Sequence, residues 1–221
     1  MLKILFFIIL LFSNNLSGSY MDKANKALTN RNIDKAIKFY KLSAREGNDE
    51  ANFELGKIYY KRIYNKKDLN LSFKYFKKAA DYEHIKAKYN LAMIYSQKRF
   101  KKHSYKKAYN IFYALAQQGS PNAQYMVGIY CMEGLGVEKD YEKALRWFEE
   151  SYFKNHYKKA SCGIASIYAN GLGVIQNLGR ARRFSEHFID TFPLCHDIFI
   201  DFKLYKEKYK EDKGFKFGFY R

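Results

Sequence analysis

A short apolar motif returns four times along the chain at an almost constant spacing. The copies read "ANFELGKIYY", "AKYNLAMIYS", "AQYMVGIYCM" and "ASCGIASIYA", and they begin at Ala51, Ala87, Ala123 and Ala160. Steps of 36, 36 and 37 residues separate these four alanines, which we call the marker alanines. A repeat of this length is typical of helical arrays, in which each unit buries its apolar face only against its neighbours.

A second amphipathic segment follows each copy, and in it a small residue precedes bulky side chains by three or four positions. This spacing places the side chains on one face of a helix, so each repeat is predicted to be a helical hairpin. The segments contain Ser72 with Tyr75 and Phe76, Ala108 with Ile111 and Phe112, Ala144 with Trp147 and Phe148, and Ala181 with Phe184. In the first helices, Gly or Ala five places after the marker alanine is expected where the two helices cross closely.

The ends of the array follow the same logic. The stretch "NIDKAIKFYKLSAREGN" carries the second-helix pattern before Ala51, and its partner would be a short helix from about Met21 to Leu28. Five hairpins are therefore predicted over residues 21–192, and the helical periodicity throughout indicates an all-α chain. A helix over residues 193–212 is expected to cap the last hairpin, and residues 213–221 to form a flexible tail. The capping side chains would be Phe199, Phe202, Leu204 and Tyr205.

These residues resemble the Sel-like repeat family, a variant of the tetratricopeptide repeat. The best match is "AQYMVGIYCMEGLGVEKDYEKALRWFEES", which keeps the family's alanine, its small residue, its G-x-G-V turn and its Trp-Phe pair. The resemblance extends over about residues 21–190 and is weakest where "KRIYNKK" and "QKRFKK" replace the glycine turn. It implies a right-handed α-solenoid that serves as a protein-protein interaction scaffold.

The glycines of the "GLGV" turns need a separate interpretation, because Gly-rich loops also bind phosphates. A phosphate loop would follow a strand and would contain a Lys-Ser/Thr pair or a third glycine, none of which is present. Gly134 and Gly136 are therefore predicted to be turn residues, at least one of them with a positive φ after the first helix.

The N-terminus is predicted to direct export. Residues 1–19 contain one lysine, an apolar run from Ile4 to Phe12 and two small residues at cleavage spacing, Ser17 and Ser19. The run is too short to cross a bilayer of ~30 Å, so a secretory signal peptide is expected, with an uncleaved anchor as the alternative. The protein is then periplasmic or secreted, and no transmembrane segment is expected in the mature chain.

The charge of the chain is strongly positive, with 40 Lys and Arg against 22 Asp and Glu, a formal net charge of +18. Such a balance ordinarily favours nucleic acid as a partner. An exported protein seldom meets nucleic acid, so an anionic lipid, an envelope polymer or an acidic protein is expected instead. The alternative is a lysine-rich surface that only keeps the protein soluble.

Three cysteines, Cys131, Cys162 and Cys195, permit at most one disulfide within the chain. Cys131 and Cys162 lie on neighbouring first helices about six residues apart in register, or ~9 Å along the axis. The helix axes are a further ~8–10 Å apart, beyond the ~7 Å between Cα atoms that a disulfide tolerates. We therefore expect Cys131 to be buried in place of the usual Tyr, and Cys195 to pair with either of the others.

Signatures of catalysis and of metal or cofactor binding are missing from the sequence. HExxH, G-x-S-x-G, CxxC and Rossmann motifs do not occur. Some secreted relatives of the family bind or hydrolyse β-lactams, but S-x-x-K occurs only at Ser104–Lys107 and Ser151–Lys154, about as often as chance predicts, and without SDN or KTG. We expect a protein without enzymatic activity, cofactor or metal; a β-lactam-binding or β-lactamase-like protein is the minor alternative.

Two surfaces are candidates for binding. By analogy with tetratricopeptide arrays, the first helices should present a concave groove for a peptide or protein, unless their aromatic rings pack between neighbouring helices. The groove residues would be Phe53, Lys57, Tyr60, Tyr89, Met93, Tyr125, Ile129 and Met132. The second surface is a basic segment between two hairpin helices that would attract an anionic envelope polymer or lipid. Its residues are Lys98, Arg99, Lys101, Lys102, Lys106 and Lys107.

Overall fold

The computed structural model describes residues 20–61 and 66–204, and the regular elements of these residues are all helices. The chain divides into two compact units, one ending at Ala108 and the other beginning at Tyr109. The predicted signal peptide, residues 1–19, and the predicted tail, residues 213–221, lie outside the described residues.

The helices alternate as the repeat predicts. The first unit contains α1 (20–29), α2 (Ile33–Arg45), α3 (Asp49–Lys61), α4 (Lys66–Asp81), α5 (Ile85–Tyr95) and the start of α6 (Tyr105–Gln117). The second unit contains the rest of α6, then α7 (Pro121–Glu133), α8 (Tyr141–Glu149), α9 (Ala160–Asn170), α10 (Leu178–Ser185) and α11 (Pro193–Asp201). A π-helical turn (Glu150–Lys154) extends α8, and a 3₁₀ turn (Glu186–Phe188) extends α10. The marker alanines begin the pattern in α3, α5, α7 and α9, which confirms the predicted order of helices.

Polar caps begin the second helix of most repeats. The side-chain oxygens of Asn32, Ser104, Asp140 and Asn177 each accept a hydrogen bond from the backbone N–H three residues later, at 3.1, 3.3, 2.8 and 2.8 Å. Each cap satisfies one of the N–H groups that a helix leaves unpaired at its start, which contributes about 1 kcal/mol. The start of each of these helices is therefore determined by a capping side chain as well as by the apolar periodicity.

The glycine turns end first helices, as predicted. Gly134 follows α7 with φ 70°, and Gly171 follows α9 with φ 64°. Their N–H groups donate to the carbonyls of Tyr130 and Ile167, four residues earlier. Only glycine adopts this left-handed conformation without a steric penalty, so the turn itself requires these residues.

Two buried phenylalanine rings occupy the crossing points of the hairpins. A Cβ at Gly56 would lie 2.5 Å from the ring of Phe76, and a Cβ at Gly128 would lie 2.5 Å from the ring of Phe148. Both rings are fully buried, and Phe148 also lies against Gly163 of the next hairpin, where a Cβ would approach it to 2.8 Å. The predicted close crossing is confirmed at Gly56 and Gly128.

The last helix is tied to the array by a disulfide. Cys162 of α9 is bonded to Cys195 of α11, with 4.9 Å between their Cα atoms, while Cys131 is a buried free thiol. The two expectations for Cys131, that it is buried and that it does not pair with Cys162, are confirmed. Cys195 is bonded to Cys162, one of the two partners that the sequence left open.

The capping helix is shorter than the predicted range of residues 193–212. α11 ends at Asp201, and Lys203 takes a left-handed conformation with φ 50°. The N–H of Leu204 then donates to the carbonyl of Phe199 at 3.0 Å, and the Leu204 side chain is fully buried. Leu204 is the one described member of the predicted capping set that is fully buried, since Phe199 and Phe202 are only partly buried and Tyr205 lies outside the described residues.

Candidate functional site

Phe53, the first of the predicted groove residues, is part of the core and not of a binding surface. Its side chain is 6% exposed. The ring contacts Phe76 of α4 at 5.8 Å between centroids and stacks on His84 at 4.4 Å. The His84 ring also begins α5, because its Nδ1 accepts a hydrogen bond from the Ala87 N–H at 3.2 Å. The prediction of Phe53 as a partner-binding residue is therefore wrong, because the first residues of the next repeat cover it.

Lys57 and Tyr60 of α3 are partly exposed, as a binding role requires. The Lys57 ammonium pairs with Glu54 at 2.5 Å and lies 5.2 Å from the centre of the Phe53 ring. The Tyr60 hydroxyl accepts a hydrogen bond from the Gln97 amide at 3.1 Å. This bond joins the end of α3 to Gln97, which lies two residues after the end of α5. It therefore fixes the position of α3 relative to α5 in this unit.

Tyr89 and Met93 of α5 are also partly exposed. We call Lys57, Tyr60, Tyr89 and Met93 the first-helix surface. It combines a cation, two aromatic rings and a flexible thioether, which are side chains that fit varied apolar and acidic groups. These four residues remain predicted binding residues.

A groove of about 740 Å³, which the sequence did not indicate, opens beside the first-helix surface in the same unit. Three apolar side chains line it, Leu28 of α1, Ile33 of α2 and Ile58 of α3, together with charged side chains of both signs. Lys57 belongs both to this N-terminal groove and to the first-helix surface. The groove forms where the short α1–α2 turn lies close to the second half of α3. The sequence pattern does not indicate that these two segments are close in space.

The predicted groove residues of the second unit are mostly buried. Tyr125 is 7% exposed and Met132 is 9% exposed. The Tyr125 ring contacts Phe148 and Tyr157, each at 5.7 Å, and its burial, with a smaller effect of Tyr157, raises its pKa to about 12. Tyr125 and Met132 are therefore corrected to core residues, and Ile129 alone of the three is partly exposed.

A sequence signal for this burial exists. Phe53 and Tyr125 occupy the same place in their repeats, two residues after the marker alanine, and each is covered by a ring three residues before the next marker alanine. These covering residues are His84 and Tyr157. After Tyr89 the equivalent place holds Ser120, which has no ring.

The six residues of the predicted basic segment are all exposed, and they lie between the end of α5 and the first turn of α6. Arg99 donates from Nε to the Gln97 side chain at 2.9 Å. The ammonium groups of Lys102 and Lys107 lie 5.9 Å from the Phe73 ring centre and 5.7 Å from the Tyr95 ring centre, respectively. The side chains of Lys98, Lys101 and Lys106 are exposed, and no contact with another described residue shields them from solvent.

The two S-x-x-K serines have structural roles. Ser104 Oγ caps α6 by accepting from the Lys107 N–H, and Ser151 is fully buried, with its hydroxyl donating to the Pro121 carbonyl at 2.8 Å. In residues 20–61 and 66–204, no three His, Cys, Asp or Glu side chains lie close enough together to hold a metal ion. In the same part of the chain no helix is both long and apolar enough to cross a membrane.

Comparison with known proteins agrees with this architecture. The family model of the Sel1 repeat matches residues 27–48, 49–81, 85–120, 121–152 and 157–186. Protein sel-1 homolog 2 of Rattus norvegicus is 34% identical over 74 residues, which are 34% of this chain and 11% of the rat protein. This chain thus corresponds to a small part of that relative.

Solved structures show the same fold. A protective antigen of uropathogenic Escherichia coli strains, displaying an SLR fold, aligns with a TM-score of 0.64 and 25% identity over 77% of this chain and 37% of its own. A Sel1 repeat protein from Oxalobacter formigenes aligns with a TM-score of 0.64 and 24% identity over 80% of this chain and 69% of its own. With its five matched repeats and this all-α fold, the chain belongs to the Sel1 repeat family.

Proposed function

We propose that the protein is a non-enzymatic scaffold that binds a peptide segment of a partner protein on the first-helix surface and in the N-terminal groove beside it. Sel1 repeat proteins generally act as scaffolds for protein-protein interaction. The observation that carries the proposal for this chain is the groove of about 740 Å³, in which Leu28, Ile33 and Ile58 lie among polar and charged side chains that include Lys57. A groove that offers apolar contacts beside charges of both signs fits a peptide that carries both apolar and charged residues.

The first-helix surface is ordered before a partner arrives. Phe76 packs into the space that Gly56 leaves, and the hydrogen bond from Gln97 to Tyr60 links α3 to the end of α5. A surface that is fixed in advance loses less conformational entropy on binding than a flexible one. Met93, whose thioether side chain is flexible and partly exposed, then adapts to the partner's side chains.

We further propose that the protein works outside the cytoplasm, in the bacterial envelope or in the secreted fraction. The apolar run of residues 4–12 and the small residues before position 20 support export. N-terminal sequencing of the protein purified from its native host tests this step. A mature chain that begins near Tyr20 is expected, and a cytoplasmic chain that still begins at Met1 would contradict it.

Site-specific photo-crosslinking in living cells tests the binding surface. The photoreactive residue p-benzoylphenylalanine replaces Tyr60 or Tyr89, and in the control it replaces Ile175, which is 91% exposed in the turn before α10. The same covalent adduct is expected from Tyr60 and Tyr89, and none from Ile175. Adducts of equal yield from all three positions, or from Ile175 alone, would contradict the proposed surface.

The proposal that the protein has no enzymatic activity is tested with β-lactam hydrolysis, the minor alternative that the family resemblance raised. A chromogenic cephalosporin is expected to remain intact in the presence of the protein, because Ser104 and Ser151 are engaged in structural hydrogen bonds. Hydrolysis that disappears in a Ser104→Ala or Ser151→Ala variant would show that the protein is an enzyme after all.

A further inference from the structure

A second groove, of about 480 Å³, lies in the first unit between α4 and the segment that follows α5. We call it the lysine groove. Lys74, Lys77 and Lys78 of α4 form one wall, and Lys102 stands on the other side. Residues three and four apart share a face of a helix, so the three α4 lysines point their charges in a similar direction.

The lysine groove has an unbalanced positive charge. Its four lysines face a single aspartate, Asp81. All four lysines are exposed, and none of them makes an ion pair within the described residues. Like charges three and four residues apart on a helix repel each other. An anionic ligand would relieve this repulsion as well as pair with the charges.

Two aromatic rings, Phe73 and Phe100, line the groove together with the lysines. The Phe73 ring contacts Phe100 at 4.9 Å and Tyr95 at 5.3 Å between centroids, and Phe100 is 2% exposed. Lys102 extends over Phe73, with its ammonium 5.9 Å from the ring centre. Packed rings therefore join α4 to the segment that follows α5.

Exposed apolar side chains follow the groove directly in the sequence. Tyr82 is 64% exposed in the short connection between α4 and α5, and Ile85, the first residue of α5, is 58% exposed. Large exposed side chains of this kind, and tyrosine above all, are typical of the anchor positions of protein interfaces. They would have no role in binding a purely ionic polymer.

We propose that the lysine groove binds an acidic segment of a protein partner, with carboxylates on the four lysines and an apolar residue on Tyr82 and Ile85. A narrow chain can reach lysines on both walls of a groove, whereas a flat bilayer would touch only its edges. This surface is separate from the first-helix surface and adds a second contact to the proposed scaffold. It also takes only Lys102 from the predicted basic segment and recruits three lysines of α4 that the sequence did not single out.

The test uses the full mature chain and a fluorescein-labelled, glutamate-rich peptide that ends in leucines, with binding followed by fluorescence anisotropy. The groove variant is Lys74→Glu with Lys77→Glu. The matched control is Lys35→Glu with Lys38→Glu, two exposed lysines at the same spacing on α2. Reversal of two exposed charges is expected to weaken binding about tenfold in the groove variant and less than about twofold in the control.

Two further arms separate the possible ligands and surfaces. A glutamine version of the peptide is expected not to bind, and binding of the glutamate peptide is expected to weaken between about 0.05 and 0.5 M NaCl, since exposed charges are screened. A Met93→Glu variant, which perturbs the first-helix surface, is expected to bind the peptide as the wild type does. A loss in Met93→Glu alone would place acidic binding on the first-helix surface and overturn the lysine groove.

The remaining outcomes also overturn the proposal. Equal losses in the groove variant and in the control would mean that net charge alone attracts the peptide. Binding of phosphatidylserine vesicles that depends on Lys74 and Lys77, without binding of the peptide, would make the groove a lipid site. A failure to bind the peptide at all at low salt would mean that the groove has no acidic protein ligand. None of these results would change the crosslinking result expected for Tyr60 and Tyr89.

Discussion

The substitution Gly128→Ala is the most direct way to ask whether the hairpins are held at their crossing points. The new Cβ would lie 2.5 Å from Cε1 and 2.6 Å from Cδ1 of Phe148, whereas ordinary carbon contacts are about 3.5–4.0 Å. The ring would have to move by about 1 Å. It has no room toward α9, because a Cβ at Gly163 would already approach the same ring to 2.8 Å.

The expected cost follows from two opposing effects. Overpacking of a core costs about 1–3 kcal/mol, and the blocked ring argues for about 3. Replacement of a helical glycine by alanine returns about 1 kcal/mol. The net loss of about 2 kcal/mol corresponds to a melting temperature lower by about 4–8 °C in a chain of this length. Thermal unfolding followed by circular dichroism at the helical band measures it.

A matched control lies in the same unit. Gly179 of α10 is also helical, and a Cβ there would meet only the Asn177 side chain, at an ordinary 3.4 Å. Gly179→Ala is expected to leave stability unchanged or to raise it by up to about 1 kcal/mol. The double variant Gly128→Ala with Phe148→Leu should lose less stability than the sum of its parts, because the smaller side chain relieves the clash. A Gly128→Ala protein as stable as the wild type would refute the close crossing.

Three further predictions concern the second unit. Removal of the disulfide by Cys195→Ser should lower the free energy of unfolding by about 3–4 kcal/mol, since the bond closes a loop of 33 residues. A peptide map without reductant should contain the Cys162–Cys195 pair. A Cys131–Cys162 peptide would contradict the register of the first helices. Tyr125, whose pKa burial raises to about 12, keeps its proton in the folded state between about pH 10 and 12 while an unfolded tyrosine loses it near 10. Stability should therefore fall as pH rises through this window, and a urea midpoint at pH 11 equal to that at about pH 9 would contradict the burial of the hydroxyl. Asp140→Ala removes the cap of α8 and should cost about 1 kcal/mol, whereas Asp140→Asn should cost much less; equal losses in the two variants, measured by urea unfolding, would show that the cap has no such role.

The order of helices could be predicted because one rule repeats along the chain. A small residue in each first helix and a bulky ring in each second helix meet at a constant spacing, as Gly56 and Phe76 do. The glycine turns were equally readable, since Gly134 and Gly171 end their helices with positive φ. These features depend on residues of one hairpin, so local periodicity suffices to find them.

The binding residues could not be predicted as well, because their exposure depends on the neighbouring repeat. Phe53 and Tyr125 occupy positions that face a groove in tetratricopeptide arrays, but the rings of His84 and Tyr157 cover them. The end of the capping helix was also missed, since a left-handed lysine at position 203 leaves no mark in the apolar pattern.

The affinity of a partner captured through Tyr89 tests the central claim most directly. Once that protein is purified, its dissociation constant is measured by isothermal titration calorimetry for the wild type, for Met93→Glu and for Lys41→Glu, a control at an exposed position of α2. A buried unpaired carboxylate costs several kcal/mol. Met93→Glu is therefore expected to weaken binding at least about tenfold without lowering the melting temperature, and Lys41→Glu to leave it unchanged. Equal affinities of the wild type and Met93→Glu would show that the partner does not bind on the first-helix surface.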